Sequence, residues 1–328
     1  MDQLDTSEIG TTGLRVTRMG LGGAPLGGLF ADVGDDVATR LVLRAHELGV
    51  RYFDTAPLYG SGKSERRYAG ALAQIPRDEF VLSTKVGRLL EPVVGPPDSA
   101  PFVNAPAVAP VFDFSRDGVL RSLEASLERL GLERVDIALI HDPDDHFEQA
   151  IGGAYAALAE LRSQGVVKAI GAGMNQWQMP ARLAREGDFD CFLLAGRYTL
   201  LDQSGLVELL PMCEEKGISI VIGGPYNSGI LASDLSPGAT FDYMAAPPLL
   251  LDKARRISAV CDRHGVPLKA AALQFGLAHP AVAATIPGAR SVAEVEENLA
   301  MAAHPIPVQL WEELRAERLI SEAAPTPA

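Results

Sequence analysis

Cysteine is scarce in this chain: three residues in 328, Cys191, Cys213 and Cys261, with no C-x-x-C pair among them. That excludes a disulfide framework and a cysteine-rich zinc site, and it fits buried or half-buried thiols in a reducing compartment. No apolar run reaches the roughly 18 residues that a transmembrane helix needs. The opening MDQLDTSEIG is acidic and polar, where a secretory signal needs a basic start and an apolar stretch. Positive charge is also short. Lys and Arg total 29 against 42 Asp and Glu, giving a net charge of −13, which repels nucleic acid and anionic lipid. No G-x-G-x-x-G stands at a first strand–helix turn, so the usual Rossmann fingerprint is missing. A soluble, cytoplasmic protein is expected, with neither nucleic acid nor a membrane as partner; a homo-oligomer stays open.

The content that is present describes a large core. Hydrophobic residues make up 47% and charged residues 22%, an ordinary globular composition. Short β-branched or apolar runs alternate with helical patterns along the chain. The expected strands are Met19–Gly22, Val50–Asp54, Phe80–Lys85, Val135–Ile140, Val167–Gly171, Cys191–Leu194, Ile218–Ile222 and Val282–Ile286. Helical patterns follow near Ser64–Leu72, Arg116–Leu130, Gln149–Ser163, Gln176–Glu186, Gly205–Glu215 and Val292–Met301, with two more stretches after the seventh strand. Strands alternating with helices imply a parallel sheet, and eight such units imply closure into a single (β/α)8 TIM barrel spanning residues 1–328.

Local chemistry supports those boundaries. Ser115 is placed to cap the helix that ends before Gly131, and Val119, Leu120, Leu123, Leu127 and Leu130 form its apolar stripe. Before the barrel, Ile9 to Thr17 reads as a β-hairpin plugging the N-terminal end, and Val308–Ala323 reads as an extra helix outside the wall. Two segments resist assignment to the wall. Glu91–Pro110 is proline-rich and Gly223–Pro248 is rich in Gly and Pro, so both are expected to be loops over the C-terminal mouth, where barrel active sites lie.

Four chemically active residues close or follow consecutive strands. Asp54 ends the second, Lys85 the third and His141 the fourth, while Tyr59 lies on the loop after Asp54. Polar groups at neighbouring strand ends share one mouth, and this set suits proton transfer. A tyrosine with an ordinary pKa near 10 is a weak base at neutral pH. A nearby ammonium from Lys85 is expected to lower it by roughly one to three units. Asp54 would keep that lysine charged, and His141 would orient a substrate oxygen. Each residue alone has an ordinary structural reading; the four in this order do not.

The stretches Phe53-Asp-Thr-Ala-Pro-Leu-Tyr-Gly, Ser83-Thr-Lys-Val-Gly, Arg121-Ser-Leu-Glu-Ala-Ser-Leu-Glu-Arg-Leu-Gly and Asp136-Ile-Ala-Leu-Ile-His resemble the aldo-keto reductases. The resemblance runs over about residues 8–303. It implies an oxidoreductase that binds a nicotinamide cofactor in extended form, with Asp54, Tyr59, Lys85 and His141 in the catalytic positions. It also implies cofactor contacts from Gly23 and from Asn175, which would hold the carboxamide. Met174 and Ala195 stand where the family has serine and glutamine, and Gly223 where it has the stacking aromatic; Tyr226 or Tyr198 is expected to supply that face. At the adenosine end the resemblance implies Glu297 and Asn298, with Gly288 and Glu294 where NADP-binding members carry cations. Arg290 remains a candidate for a 2′-phosphate. A carboxylate beside a ribose repels such a phosphate, so NAD is favoured over NADP.

Further stretches, Gly22-Gly-Ala-Pro-Leu-Gly-Gly-Leu-Phe, Val111-Phe-Asp-Phe-Ser and His141-Asp-Pro-Asp, resemble the aldose dehydrogenases acting on L-fucose or D-threo-aldoses, and the related pyridoxal dehydrogenases. That implies oxidation of an anomeric C1 hydroxyl to a lactone, against polar lining such as His141, Asp142 and Arg197. Trp177 is expected to pack rather than line the site. Three other classes are weighed. A cofactor-binding regulatory subunit would not need the intact tetrad. A Schiff-base aldolase would use Lys85 as nucleophile but leave Tyr59 and the Asn175–Asn298 features without a role. A metal-dependent hydrolase would need more than His141, Asp142, Asp144 and His146 on one loop.

Overall fold

The computed structural model of the chain describes residues 5–93 and 101–327. Eight parallel strands appear in chain order: β1 (Leu21–Gly22), β2 (Tyr52–Asp54), β3 (Val81–Val86), β4 (Ile137–His141), β5 (Ala169–Met174), β6 (Cys191–Ala195), β7 (Ser219–Gly223) and β8 (Val282–Ile286). Each pairs with its successor, from Leu21↔Phe53 to Gly223↔Ile286. Parallel bridges Met19↔Thr285 and Gly22↔Gly288 join the ends, so the sheet closes into a barrel. Closure at β1 depends on glycine: a Cβ on Gly22 would lie 2.8 Å from the Ile286 carbonyl, and one on Gly23 2.6 Å from that of Asp54.

Strands buried on both faces need continuous apolar runs rather than alternation, and β4 (Ile-Ala-Leu-Ile-His) is buried throughout. Inside the barrel, Ile137, Leu139, Leu193, Val221, Ala284 and Ile286 form one cluster, which Ile9, Leu14 and Val16 complete from below. These three come from an antiparallel hairpin, Thr6–Glu8 with Arg15–Thr17, the expected plug. Outside, helices pack in a ring. In Arg116–Leu130 the Ser115 Oγ accepts from Gly118 N at 3.1 Å, and Gly131 closes the helix at φ 63°.

The structure departs from expectation in four places. Glu91–Pro110 is not simply a loop: Arg88–Pro92 pairs antiparallel with Val108–Phe112 to form an arm, and residues 94–100 lie outside the described part. Proline obscured this in the sequence, yet Pro92 and Pro110 are tolerated because an isolated two-stranded arm has edges on both sides. The Gly/Pro-rich connection after β7 holds a minimal hairpin, Thr240–Phe241 with Met244–Ala245. The helix expected over Gln149–Ser163 starts earlier, at Phe147, and opens into a π-turn at Ala150–Tyr155. There Gly153 backs onto the Phe114 carbonyl, which an added Cβ would meet at 2.3 Å. Finally, the last helix covers Val308–Ala316 only, with Trp311 fully buried as its anchor. Cys191, Cys213 and Cys261 are all free and buried, and no helix among the described residues is long and apolar enough to cross a membrane.

Candidate active site

The C-terminal ends of β2, β3 and β4 carry the expected ionisable residues into one mouth. Lys85 and Asp54 are almost wholly buried, at 1% and 1% exposure. Lys85 Nζ donates to Asp54 Oδ2 at 2.8 Å, to Oδ1 at 3.1 Å and to the Thr55 carbonyl at 3.0 Å. Ser83 Oγ adds a 2.7 Å bond to Asp54 Oδ1. With all its donor directions engaged, Lys85 is not free to attack a carbonyl, which removes the basis for a Schiff-base reading.

Above this pair lies Tyr59. Lys85 Nζ sits 4.6 Å from the centroid of its ring, and His141 stands edge-on to it at 6.0 Å. The loop is held by Gly60, at φ 61°, where an added Cβ would lie 2.0 Å from the Gly27 carbonyl. Burial, followed by the charge of Asp54, pushes the Tyr59 phenol well above its ordinary value. This reverses the expected lowering by Lys85: the ammonium is spent on Asp54 and faces the ring, so desolvation prevails. Burial, then Lys85 and Arg88, push His141 well below its ordinary range, leaving a neutral imidazole near pH 7.

Tyr59, Lys85 and His141 line a pocket of about 170 Å³ together with Phe102, Asp142, Met174, Asn175, Ala195 and Tyr243. A small cavity lined by Asn175, Gly196, Arg197, Gly224, Ser228 and Tyr243 adjoins it, sharing Asn175, Ala195 and Tyr243. A groove of about 690 Å³ past Tyr226, Gly288, Arg290, Glu294, Glu297 and Asn298 adjoins that cavity in turn, sharing Gly224 and Ser228. Residues named from the sequence for the two ends of an extended cofactor thus line neighbouring pockets. Tyr226 lines the groove and donates to Asn298 Oδ1 at 2.7 Å. Glu294 accepts from the Arg290 backbone N–H at 2.8 Å and stands 3.4 Å from its guanidinium. Glu297 is paired with Lys269 at 2.7 Å, a groove cation that sequence reasoning missed.

Three sequence assignments move. Tyr198 is fully buried against Phe275 and His279 and lines none of these three pockets, so it presents no ring face to them. Gly23 serves closure: its N–H donates to the Asp54 carbonyl at 2.8 Å, and its neighbour Ala24 lines the pocket instead. Arg197 belongs to the small cavity, bonded to Asp242 at 3.0 Å, not to the catalytic pocket. Trp177 packs against the core as expected. The residue most clearly overlooked is Tyr243, at the tip of the small hairpin after β7. Asp242 and Tyr243 take φ 51° and 63°, and the Tyr243 N–H donates to Ser228 Oγ at 3.0 Å. That turn sets its side chain over the mouth beside Asn175. Only a hairpin reading of Phe-Asp-Tyr-Met would have found it. Among the described residues, no three His, Cys, Asp or Glu side chains gather in metal-binding geometry.

The fold is thus an eight-stranded barrel with Asp54, Tyr59, Lys85 and His141 gathered at its mouth, beside a long groove. The comparison with known proteins gives the family: the aldo/keto reductase family profile matches residues 18–317, and the chain belongs to that family. It is therefore an NAD(P)-dependent oxidoreductase. It is 41% identical to a pyridoxal 4-dehydrogenase of Microbacterium luteolum, covering 95% of this chain and 97% of that one. It is likewise 41% identical to a D-threo-aldose 1-dehydrogenase of a Pseudomonas species, over 96% and 97%. Among solved structures, the holo form of an aldo-keto reductase from Bacillus halodurans superposes with a TM-score of 0.77 at 24% identity, covering 97% of each chain; that likeness speaks for the fold.

Proposed function

We propose that this chain, acting as one catalytic domain, is an NAD-preferring dehydrogenase that oxidises the anomeric C1 hydroxyl of a cyclic aldose, of the L-fucose or D-threo type, to its lactone. The observation that carries the reading is the line of adjoining pockets, each sharing wall residues with the next, from Tyr59, Lys85 and His141 to a polar groove. The groove suits a dinucleotide. Gly224 presents bare backbone at φ 55°, Asn298 and Tyr226 offer amide and hydroxyl groups, and cations alternate with carboxylates along the wall. Asn175, Met174 and Ala195 would hold the nicotinamide end, Gly288, Arg290, Glu294, Glu297 and Asn298 the adenosine end. The bound nicotinamide supplies the hydride acceptor.

The protein's own part is proton handling and placement. Tyr59, as phenolate, takes the C1 hydroxyl proton; as phenol it returns a proton in the reverse reaction. Neutral His141 donates to the reacting oxygen without adding charge. The Asp54–Lys85 pair fixes the ammonium beneath the Tyr59 ring, where it opposes the negative charge that develops on the phenol oxygen. Because the resting phenol lies well above its ordinary value, the two directions should differ with pH. Oxidation needs the deprotonated form and should rise by roughly tenfold per pH unit through neutrality, while reduction holds level until the phenol ionises. Initial rates in both directions across pH check this; oxidation that falls with rising pH contradicts a Tyr59 base.

The walls Leu29, Leu58, Phe102 and Tyr243 are more apolar than a sugar pocket requires, and they favour a second substrate. Pyridoxal can close its aldehyde onto a neighbouring hydroxymethyl group, presenting the same kind of hemiacetal carbon on an aromatic ring. A panel of aldoses and pyridoxal with NAD and NADP, read by absorbance of the reduced cofactor, tests the assignment. Since Arg290 and Lys269 are already paired with Glu294 and Glu297, kcat/KM is expected to be higher with NAD. A preference for NADP of about tenfold or more, some 1.4 kcal/mol, would overturn that choice. Absence of turnover on every hemiacetal would overturn the dehydrogenase reading and favour a cofactor-binding subunit.

A further inference from the structure

Asp142 stands next to His141 at the end of β4, yet the proton-transfer scheme leaves it without a task. Its backbone takes φ 43°, in the left-handed region that most side chains avoid. Its N–H donates to the Gly173 carbonyl at 3.1 Å, which fixes the turn across to β5. The turn delivers a carboxylate into the catalytic pocket. Its Oδ2 accepts from Arg88 Nη2 at 2.5 Å and lies 3.6 Å from His141 Nε2. Arg88 itself is anchored with its guanidinium 4.5 Å over the Phe112 ring, at the root of the arm. Asp142 Oδ1 accepts no hydrogen bond from any described residue. A half-buried carboxylate with one oxygen clamped and the other open to a substrate pocket is a prepared acceptor.

We infer that Asp142 selects the substrate by accepting a hydrogen bond, at Oδ1, from a hydroxyl on the carbon next to the reacting one. The spacing supports this. Hydroxyls on adjacent ring carbons lie close enough to touch two neighbouring protein groups. An oxygen held by His141 therefore brings its neighbour to Asp142, one residue along the same strand end. Arg88 acts as a positioning residue: it clamps Oδ2 and so points Oδ1 inward. The ligand class is a cyclic hemiacetal bearing a hydroxyl at C2, which a carboxylate recognises as an obligate acceptor. A site that holds a substrate hydroxyl this way discriminates against the analogue lacking it, because its polar group is then left unpaired.

This inference rests on the dehydrogenase reading, and the experiment separates the two. The kcat/KM for L-fucose is divided by that for 2-deoxy-L-fucose, with NAD, in the wild type and in variants. The wild-type ratio is expected to be about tenfold or more, and to fall to within about twofold of one in Asp142→Ala. Asp142→Asn, which preserves shape with a weaker acceptor, should fall between. Arg88→Met should lower the ratio in part, and adding it to Asp142→Ala should change the ratio no further. A role limited to orienting His141 would slow both sugars alike and leave the ratio unchanged; that result overturns the inference, as does a wild-type ratio near one. If the wild type oxidises neither sugar with NAD or NADP, the aldose reading fails and this assignment falls with it.

Discussion

Tyr59→Phe is expected to lower kcat by roughly a hundredfold or more in either direction, the usual worth of a positioned general acid–base. The substitution removes one oxygen and little else. The Tyr59 hydroxyl bonds to no described residue, so no buried partner is orphaned by its loss. The ring keeps its place over Lys85, edge-on to His141 and 6.1 Å from Phe102. Stability should therefore stay within about 0.5 kcal/mol of the wild type, and binding of the cofactor should be near normal, since the groove residues are untouched. A loss of kcat with cofactor affinity retained marks an interaction made in the transition state. Steady-state kinetics with a fluorescence titration of the reduced cofactor give both quantities. A variant with near-full activity would move the proton to another group, and His141 would be examined next.

What the sequence made legible, and what it hid, follows from where each residue sits. Asp54, Lys85 and His141 end apolar runs whose faces are both buried, so a polar residue there has only the barrel mouth to enter. Their convergence could be read without coordinates. Tyr243 carries no such signal. It lies in a Gly/Pro-rich connection without periodicity, and its place depends on two consecutive left-handed residues, Asp242 and Tyr243, neither of them glycine. Turn rules that look for glycine or asparagine at such positions pass over it. Tyr198 failed in the opposite sense: its position in the chain pointed to the site, but the turn after β6 directs it into the core beneath Phe275. Burial also explains the reversed expectation for Tyr59. Sequence shows that a lysine is near and that Asp54 can pair with it, but not that Thr55 takes up a further donor and that the ammonium faces the ring. The hidden arm is a third kind of case, since proline reads as loop wherever the pairing partner lies beyond view.

The Asp54–Lys85 pair leads to the second large effect. Lys85→Met should abolish measurable turnover and also destabilise the fold by about 3–5 kcal/mol at neutral pH, the usual cost of leaving one buried charge alone. The wild-type pair is sealed, at 2% and 1% side-chain exposure, so water cannot take over the role of the ammonium. What remains for Asp54 is Ser83 Oγ, a single neutral donor. Combining Lys85→Met with Asp54→Asn removes the stranded charge while keeping an acceptor for Ser83. The double variant should recover at least about half of the lost stability, because replacing both partners of a buried pair is far less costly than breaking it. It should recover none of the activity, because the ammonium beneath Tyr59 is still missing. Urea unfolding of the two variants, beside turnover assays, separates these roles. If the double variant regains no stability, the pair is not the electrostatic unit its geometry describes.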